Sequence, residues 1–313
     1  MKAVTIDRYG SSEVLSYSDV PDPSLGDNQI LVKVHAASVN PIDWKIRAGM
    51  LRFIPGGAFP RILGSDLAGE VVEVRGQTDY KPGDEVYGTL NPIKGGGYAQ
   101  LAAVPSQAIA PKPPTLSYSE AAAIPIAGVT ALQALRDKGS LQAGQSVLIN
   151  GASGGVGTFA VQLAKAMGAT VTAVCSQSNF DLVTRLGADR AIDYHQTDFT
   201  QESVRYDIIF DAAGKRTFSD CKSALTPNGV YVTTLPNLDV IFYSFLTVLW
   251  PGQTCKTILV QPNHDDLMVL NQFLDDGKLQ VVIDRTYPLS DASEAHQYSE
   301  TEHATGKIVM TVP

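Results

Sequence analysis

Cysteine is scarce in this chain. Only Cys175, Cys221 and Cys255 occur among 313 residues, far apart in sequence. A secreted scaffold held by disulfides would carry an even, dense set, so a reducing compartment, the cytosol, is the expectation. Positive charge is also in deficit, with 24 Lys and Arg against 32 Asp and Glu, a net charge of −8 and no basic stripe. Such a surface repels a phosphate backbone, which excludes nucleic acid as a partner. Long apolar runs are missing too. The longest, Val240 to Trp250, has eleven residues, short of the ~20 that a membrane span needs. Met1 to Ile6 reads as an alternating strand with no leader, in keeping with a cytoplasmic protein. The five histidines, His35, His195, His264, His296 and His303, show no ligand spacing with one another or with the cysteines, so no metal site is expected.

Hydrophobic residues make up 44% of the chain and charged ones 18%, enough apolar material for packed cores. The length predicts two domains. Residues 1–122 read as short strands punctuated by Gly and Pro, such as Ile30 to Val34, Ala68 to Val74 and Glu85 to Thr89, which suggests an antiparallel, barrel-like unit. Residues 123–268 alternate apolar strands with helical stretches and predict a doubly wound parallel sheet, completed by Lys256 to Val260. Residues 269–313 return to strand texture and are expected to finish the first domain. The fold class is therefore α/β.

Asn150-Gly151-Ala152-Ser153-Gly154-Gly155-Val156-Gly157 follows the apolar run Val147 to Ile149 and opens a helical pattern. That context makes a glycine cluster a dinucleotide site, because bare backbone approaches the pyrophosphate and helix N–H groups face it. Gly151, Ser153, Gly154, Gly155, Val156 and Gly157 are the expected contacts. At the end of the next strand an NAD site would place an acid for the ribose hydroxyls. Here the chain reads Cys175-Ser176-Gln177-Ser178-Asn179. Ser176, Ser178 and Asn179 can instead donate to a 2′-phosphate, so NADPH is the expected cofactor, with Tyr194 as a candidate on the adenosine side.

Gly144-Gln145, Leu148, Ala152 to Gly155, Gly157, Gln162 and Lys165 match position by position the signature of the zinc-free quinone oxidoreductase (zeta-crystallin-like) family of the medium-chain dehydrogenases and reductases. Ser38 to Asp43, Leu63 to Val71, Pro82 to Gly88, Gly97 to Gln100 and Ile126 to Ala131 also resemble its recurring segments. The resemblance implies a GroES-like catalytic domain built from both chain ends, a Rossmann-type cofactor domain between them, an active cleft at their junction and a homodimer. Where zinc alcohol dehydrogenases carry a His-Glu pair after a glycine, this chain has Gly64-Ser65-Asp66, and no cysteine precedes Cys175.

Without a metal to polarise a carbonyl, the accessible reaction is hydride delivery to an already electrophilic acceptor, a quinone or an α,β-unsaturated ketone or aldehyde. Carried over from the family, Asn40 and Asp43 are the candidate polar groups and Thr130 lies in the segment placed beside the nicotinamide. Tyr98 is a further possible donor. Each has a plainer reading: Asn40 and Asp43 as turn formers, Thr130 as a helix cap, Tyr98 as packing. A non-enzymatic NADPH-binding protein and an alcohol dehydrogenase are the competing functions.

Overall fold

A computed structural model describes residues 1–54, 58–235, 238–249 and 252–313. The chain divides into two compact units, one of residues 1–127, 262–275 and 281–313, the other of residues 128–261 and 276–280.

In the first unit the eleven-residue strand Gln29–Val39 is central, because inward apolar residues alternate along it at Ile30, Val32 and Val34. One edge pairs antiparallel with Asp66–Arg75. The other is shared, Leu101–Pro105 taking residues 29–33 and Lys307–Thr311 taking residues 36–39. Register shifts at Leu31/Val32 and Val34/Ala36 bend the strand, and a Cβ at Gly69 would lie 2.0 Å from Lys33 O, so only glycine fits the closest approach. Val4, Ile6, Leu63, Leu67, Val86, Ile308 and Met310 fill the core beneath. The unit is not wholly antiparallel: Ile283–Pro288 pairs parallel with Lys307–Thr311. Such a pair needs a crossover, supplied by helix Ala292–Glu300.

Helix His264–Asp275 falls in the first unit, although residues up to 268 were expected in the second. Buried polar groups account for the difference. Tyr87 donates its hydroxyl to Asn271 Oδ1 at 2.7 Å, Asn271 Nδ2 donates to Pro111 O at 3.0 Å, and His264 Nδ1 lies 2.9 Å from Ile109 O. The other boundary falls after Ala127 rather than after residue 122, and Asp66 accepts from the Ile126 N–H at 3.2 Å.

The second unit is a parallel sheet of six strands among the described residues, in the spatial order Arg190–Asp193, Thr170–Cys175, Ser146–Asn150, Tyr206–Asp211, Leu225–Thr233, Thr254–Thr257. The order reverses between Ser146–Asn150 and Tyr206–Asp211, the switch point at which open α/β sheets bind ligands. The last strand ends at Thr257 rather than running to residue 260; Leu259 is already exposed. The apolar run from Val240 lies in helix Leu238–Leu249, and Trp250 is outside the described residues. No described helix is long and apolar enough to cross a membrane.

Candidate functional site

Strand Ser146–Asn150 delivers the chain into the glycine turn, and helix Gly155–Ala166 leaves it. Gly151 has φ +82, which an L side chain rarely adopts, and its N–H and that of Ala152 both donate to Val174 O at 3.0 Å. At Gly157 a Cβ would lie 2.1 Å from Gly151 O, so the helix packs backbone to backbone on the turn. Gly154 differs. Its φ of −79 and ψ of 177 suit any residue, and an added Cβ would meet nothing nearer than Gly151 O at 3.5 Å. Neither conformation nor protein packing requires glycine there, and the space kept open lies at the helix start. The first helical bond runs from Thr158 N to Gly154 O, which leaves the N–H groups of Gly155, Val156 and Gly157 ahead of it to face an anion. The residues present fit a dinucleotide pyrophosphate.

The end of the second strand comes to the same corner. Asn179 Nδ2 lies 3.1 Å from both Ser153 Oγ and Ser176 Oγ, and Ser176 Oγ lies 2.9 Å from Ser178 Oγ. Four of the polar residues expected at the cofactor are thus brought together. Tyr194 is half exposed, its ring lies 4.1 Å from that of His195, and its N–H donates to Cys175 O at 3.3 Å, at the end of the second strand. Thr130 is buried within helix Pro125–Gln133, so it is not a helix cap.

In the first unit Asn40 and Asp43 belong to a buried polar network. Asn40 is 2% exposed; its Nδ2 donates to Asp66 Oδ2 at 2.8 Å and its Oδ1 accepts from Lys307 Nζ at 2.5 Å. Asp66 Oδ2 also accepts from Ser38 Oγ at 3.0 Å and has Lys307 Nζ at 3.9 Å as its counter-charge. Burial pushes Asp66 up and Lys307 down from their usual pKa ranges, each opposed by the partner's charge. Asp43 Oδ2 accepts from Asn40 N–H at 2.8 Å, at the start of helix Pro41–Arg47, and from the Tyr98 hydroxyl at 3.0 Å. Burial raises its pKa to about 7, with the Asp66 charge adding to the rise. Tyr98 OH in turn lies 3.4 Å from His296 Nε2, and burial holds His296 down at about 3.

The turn chemistry expected of Asn40 and Asp43 is therefore present, joined to a network that sequence reasoning did not assemble. Lys307, which closes that network, was not singled out; a lysine opening the apolar strand Lys307–Thr311 was its signal in the sequence.

Comparison with known proteins bears on the fold and the family. Residues 26–114 match the alcohol dehydrogenase GroES-like domain and residues 186–310 the zinc-binding dehydrogenase model. A chloroplastic quinone oxidoreductase of Triphysaria versicolor is 39% identical over 99% of this chain and 98% of its own. The chain belongs to the quinone oxidoreductase family of the medium-chain dehydrogenases and reductases. The structure of the Coxiella burnetii quinone oxidoreductase superposes with a TM-score of 0.90, at 35% identity, covering 100% of this chain and 99% of that one. A 2-methylene-furan-3-one reductase of Solanum lycopersicum is 36% identical over 99% of this chain and 79% of its own.

As a quinone oxidoreductase family member the protein is an oxidoreductase of a superfamily that uses a nicotinamide nucleotide. Although one matching model is described as zinc-binding, no three His, Cys, Asp or Glu side chains among the described residues form a group that could hold a metal ion. At Gly64-Ser65-Asp66 the carboxylate faces the Lys307 ammonium. Relatives are named as chloroplastic or mitochondrial, compartments other than the cytosol expected from cysteine usage.

Proposed function

We propose that this protein delivers a hydride from NADPH to a quinone or an α,β-unsaturated ketone or aldehyde, without a metal ion. The observation that carries the reading is the corner of Ser153, Ser176, Ser178 and Asn179, with no Asp or Glu from Cys175 to Asn179, beside the open helix start at Gly154. Hydroxyl and amide donors suit a 2′-phosphate, which a carboxylate would repel. The names of the Triphysaria and Solanum relatives support the acceptor class.

When bound, the reduced nicotinamide supplies the hydride. The amides of Gly155 to Gly157 hold the diphosphate and the serine corner holds the ribose phosphate. Tyr194 is assigned to the adenosine side. Thr130 is assigned to the nicotinamide side on the family resemblance, and Thr130→Val should raise KM for NADPH several-fold. Asn40 and Asp43 are assigned positioning roles, because Asn40 Nδ2 and Oδ1 already serve Asp66 and Lys307 and Asp43 Oδ2 serves Tyr98 and the Asn40 N–H; Asp43 Oδ1 is buried without a partner among the described residues. Buried cysteines suit a reducing compartment such as the cytosol. A homodimer is the assembly expected, to be measured by analytical ultracentrifugation.

The test is the loss of 340 nm absorbance with NADPH and a panel of one quinone, one enal and one saturated aldehyde. Turnover of the quinone or enal alone is the expected result. Turnover of the saturated aldehyde would favour an alcohol dehydrogenase, and tight binding without turnover a non-enzymatic role.

A further inference from the structure

Asp211 ends the strand Tyr206–Asp211 and is fully buried at the switch point of the parallel sheet. Its carboxylate is engaged at both oxygens. Oδ1 accepts from Asn150 Nδ2 at 2.8 Å and from the Gly214 N–H at 3.0 Å. Oδ2 accepts from the Arg216 N–H at 2.9 Å and lies 3.1 Å from the Tyr231 hydroxyl, which is also 2.8 Å from Arg216 O. One side chain thus joins the neighbouring strand end at Asn150 to the loop of residues 212–216.

That loop rests on the cofactor turn. Ala212 N–H and Ala213 N–H donate to Asn150 O at 3.0 and 3.2 Å, and a Cβ at Gly151 would come within 2.9 Å of Ala213 Cβ. On its far side Thr234 Oγ1 donates to Ala212 O at 3.2 Å. The loop is therefore held from Asp211 below and Thr234 beside it, and it forms the wall against which Gly151 turns.

We infer that Asp211 is a positioning residue for the nicotinamide nucleotide: it sets the glycine turn by clamping Asn150 and the 212–216 loop across the switch between Ser146–Asn150 and Tyr206–Asp211. The inference rests on the cofactor reading above and adds to it a residue that does not touch the cofactor. A carboxylate is required. Each oxygen faces a backbone N–H that cannot turn away, Gly214 at one and Arg216 at the other. An amide would present its own N–H to one of them in either orientation.

The experiment measures NADPH affinity of the full chain by nicotinamide fluorescence, together with KM for NADPH and for a quinone. Asp211→Asn should weaken NADPH binding by roughly tenfold or more, with KM for the quinone unchanged. Asn150→Ala removes the side-chain link to Asp211 but keeps the backbone bonds to Asn150 O and both loop amides held, and should weaken binding by a smaller factor; it decides the matter alone if Asp211→Asn does not fold. Ile209→Val, in the core of the same strand, controls for lost stability and should keep wild-type affinity. Wild-type affinity in both the folded Asp211→Asn and Asn150→Ala proteins, or in Asn150→Ala alone if the first fails to fold, would overturn the inference while leaving the cofactor reading intact. A wild-type protein that binds no NADPH would overturn both.

Discussion

Asn179 and Ser153 stand 26 positions apart in the chain, yet the Asn179 amide nitrogen lies 3.1 Å from the Ser153 hydroxyl oxygen. The end of the second parallel strand is thereby tied to the glycine turn, and Ser176 and Ser178 join the same corner. A corner of hydroxyl and amide groups treats a ribose phosphate differently from a ribose hydroxyl pair. Ser176→Asp places a negative charge there. NADPH should lose roughly tenfold or more in kcat/KM while NADH is retained or improved, read from initial rates at saturating acceptor. Equal losses for the two nucleotides would contradict the assignment.

Two glycines of one turn should respond in opposite ways to the same methyl group. Gly154→Ala meets open space in an ordinary backbone conformation, so the unfolding free energy should fall by no more than ~1 kcal/mol, the loss expected from alanine in place of glycine at a helix N-cap. NADPH affinity should fall. Gly157→Ala drives a Cβ to 2.1 Å from Gly151 O. The gain of up to about 1 kcal/mol from helix propensity is smaller than the overpacking cost of ~1–3 kcal/mol or more, so the fold itself should weaken. Urea unfolding and a binding titration on both variants separate the two effects.

Asp43 and His296 lie at the two ends of a hydrogen-bonded line through Tyr98 and should tilt the pH dependence of stability in opposite senses. Burial raises Asp43 from 3.8 to about 7, so the folded chain keeps a proton that the unfolded chain releases between those values. The stability this supplies is full below about pH 4 and is lost as pH rises through about 7. His296 falls from 6.5 to about 3, because burial and the Arg47 charge oppose its protonation. Its contribution is full above about pH 6.5 and is lost as pH falls towards 3. Where the windows overlap, the slopes oppose each other. Relative to wild type, Asp43→Asn should therefore make stability rise more steeply with pH between about 4 and 6.5, and His296→Gln should make it fall more steeply, each by up to ~1.4 kcal/mol per pH unit. Identical profiles for both variants in urea would remove the assignment.

Lys307 supplies the positive charge of a network that contains Asp66 and Asp43. Lys307→Met strands the Asp66 carboxylate in the core and leaves Asn40 Oδ1 without its donor, which should cost ~3–5 kcal/mol. Removing Asp66 as well, in Lys307→Met with Asp66→Asn, should recover part of the loss. A double variant no better than the single one would show that the charge pairing is not the source of the effect.

Features written within a few consecutive residues were legible in the chain itself. Strand Ser146–Asn150, the glycines after it and helix Gly155–Ala166 announce the dinucleotide turn, because turn geometry and helix initiation depend on neighbours in sequence. The alternation of strands and helices through the second unit likewise announces a parallel sheet.

What folding alone could settle is which distant groups meet. Lys307 reaches Asn40, 267 positions away, only because Ile308 falls opposite Val39 in the antiparallel register. Asp211 meets Asn150 because those two strands pair at the point where the sheet reverses direction. Helix His264–Asp275 joins the first unit because Tyr87 and Pro111 offer partners to Asn271. A buried charge or amide must find its partner inside the protein, and the identity of that partner is a property of strand register and packing, which no local pattern of residues encodes.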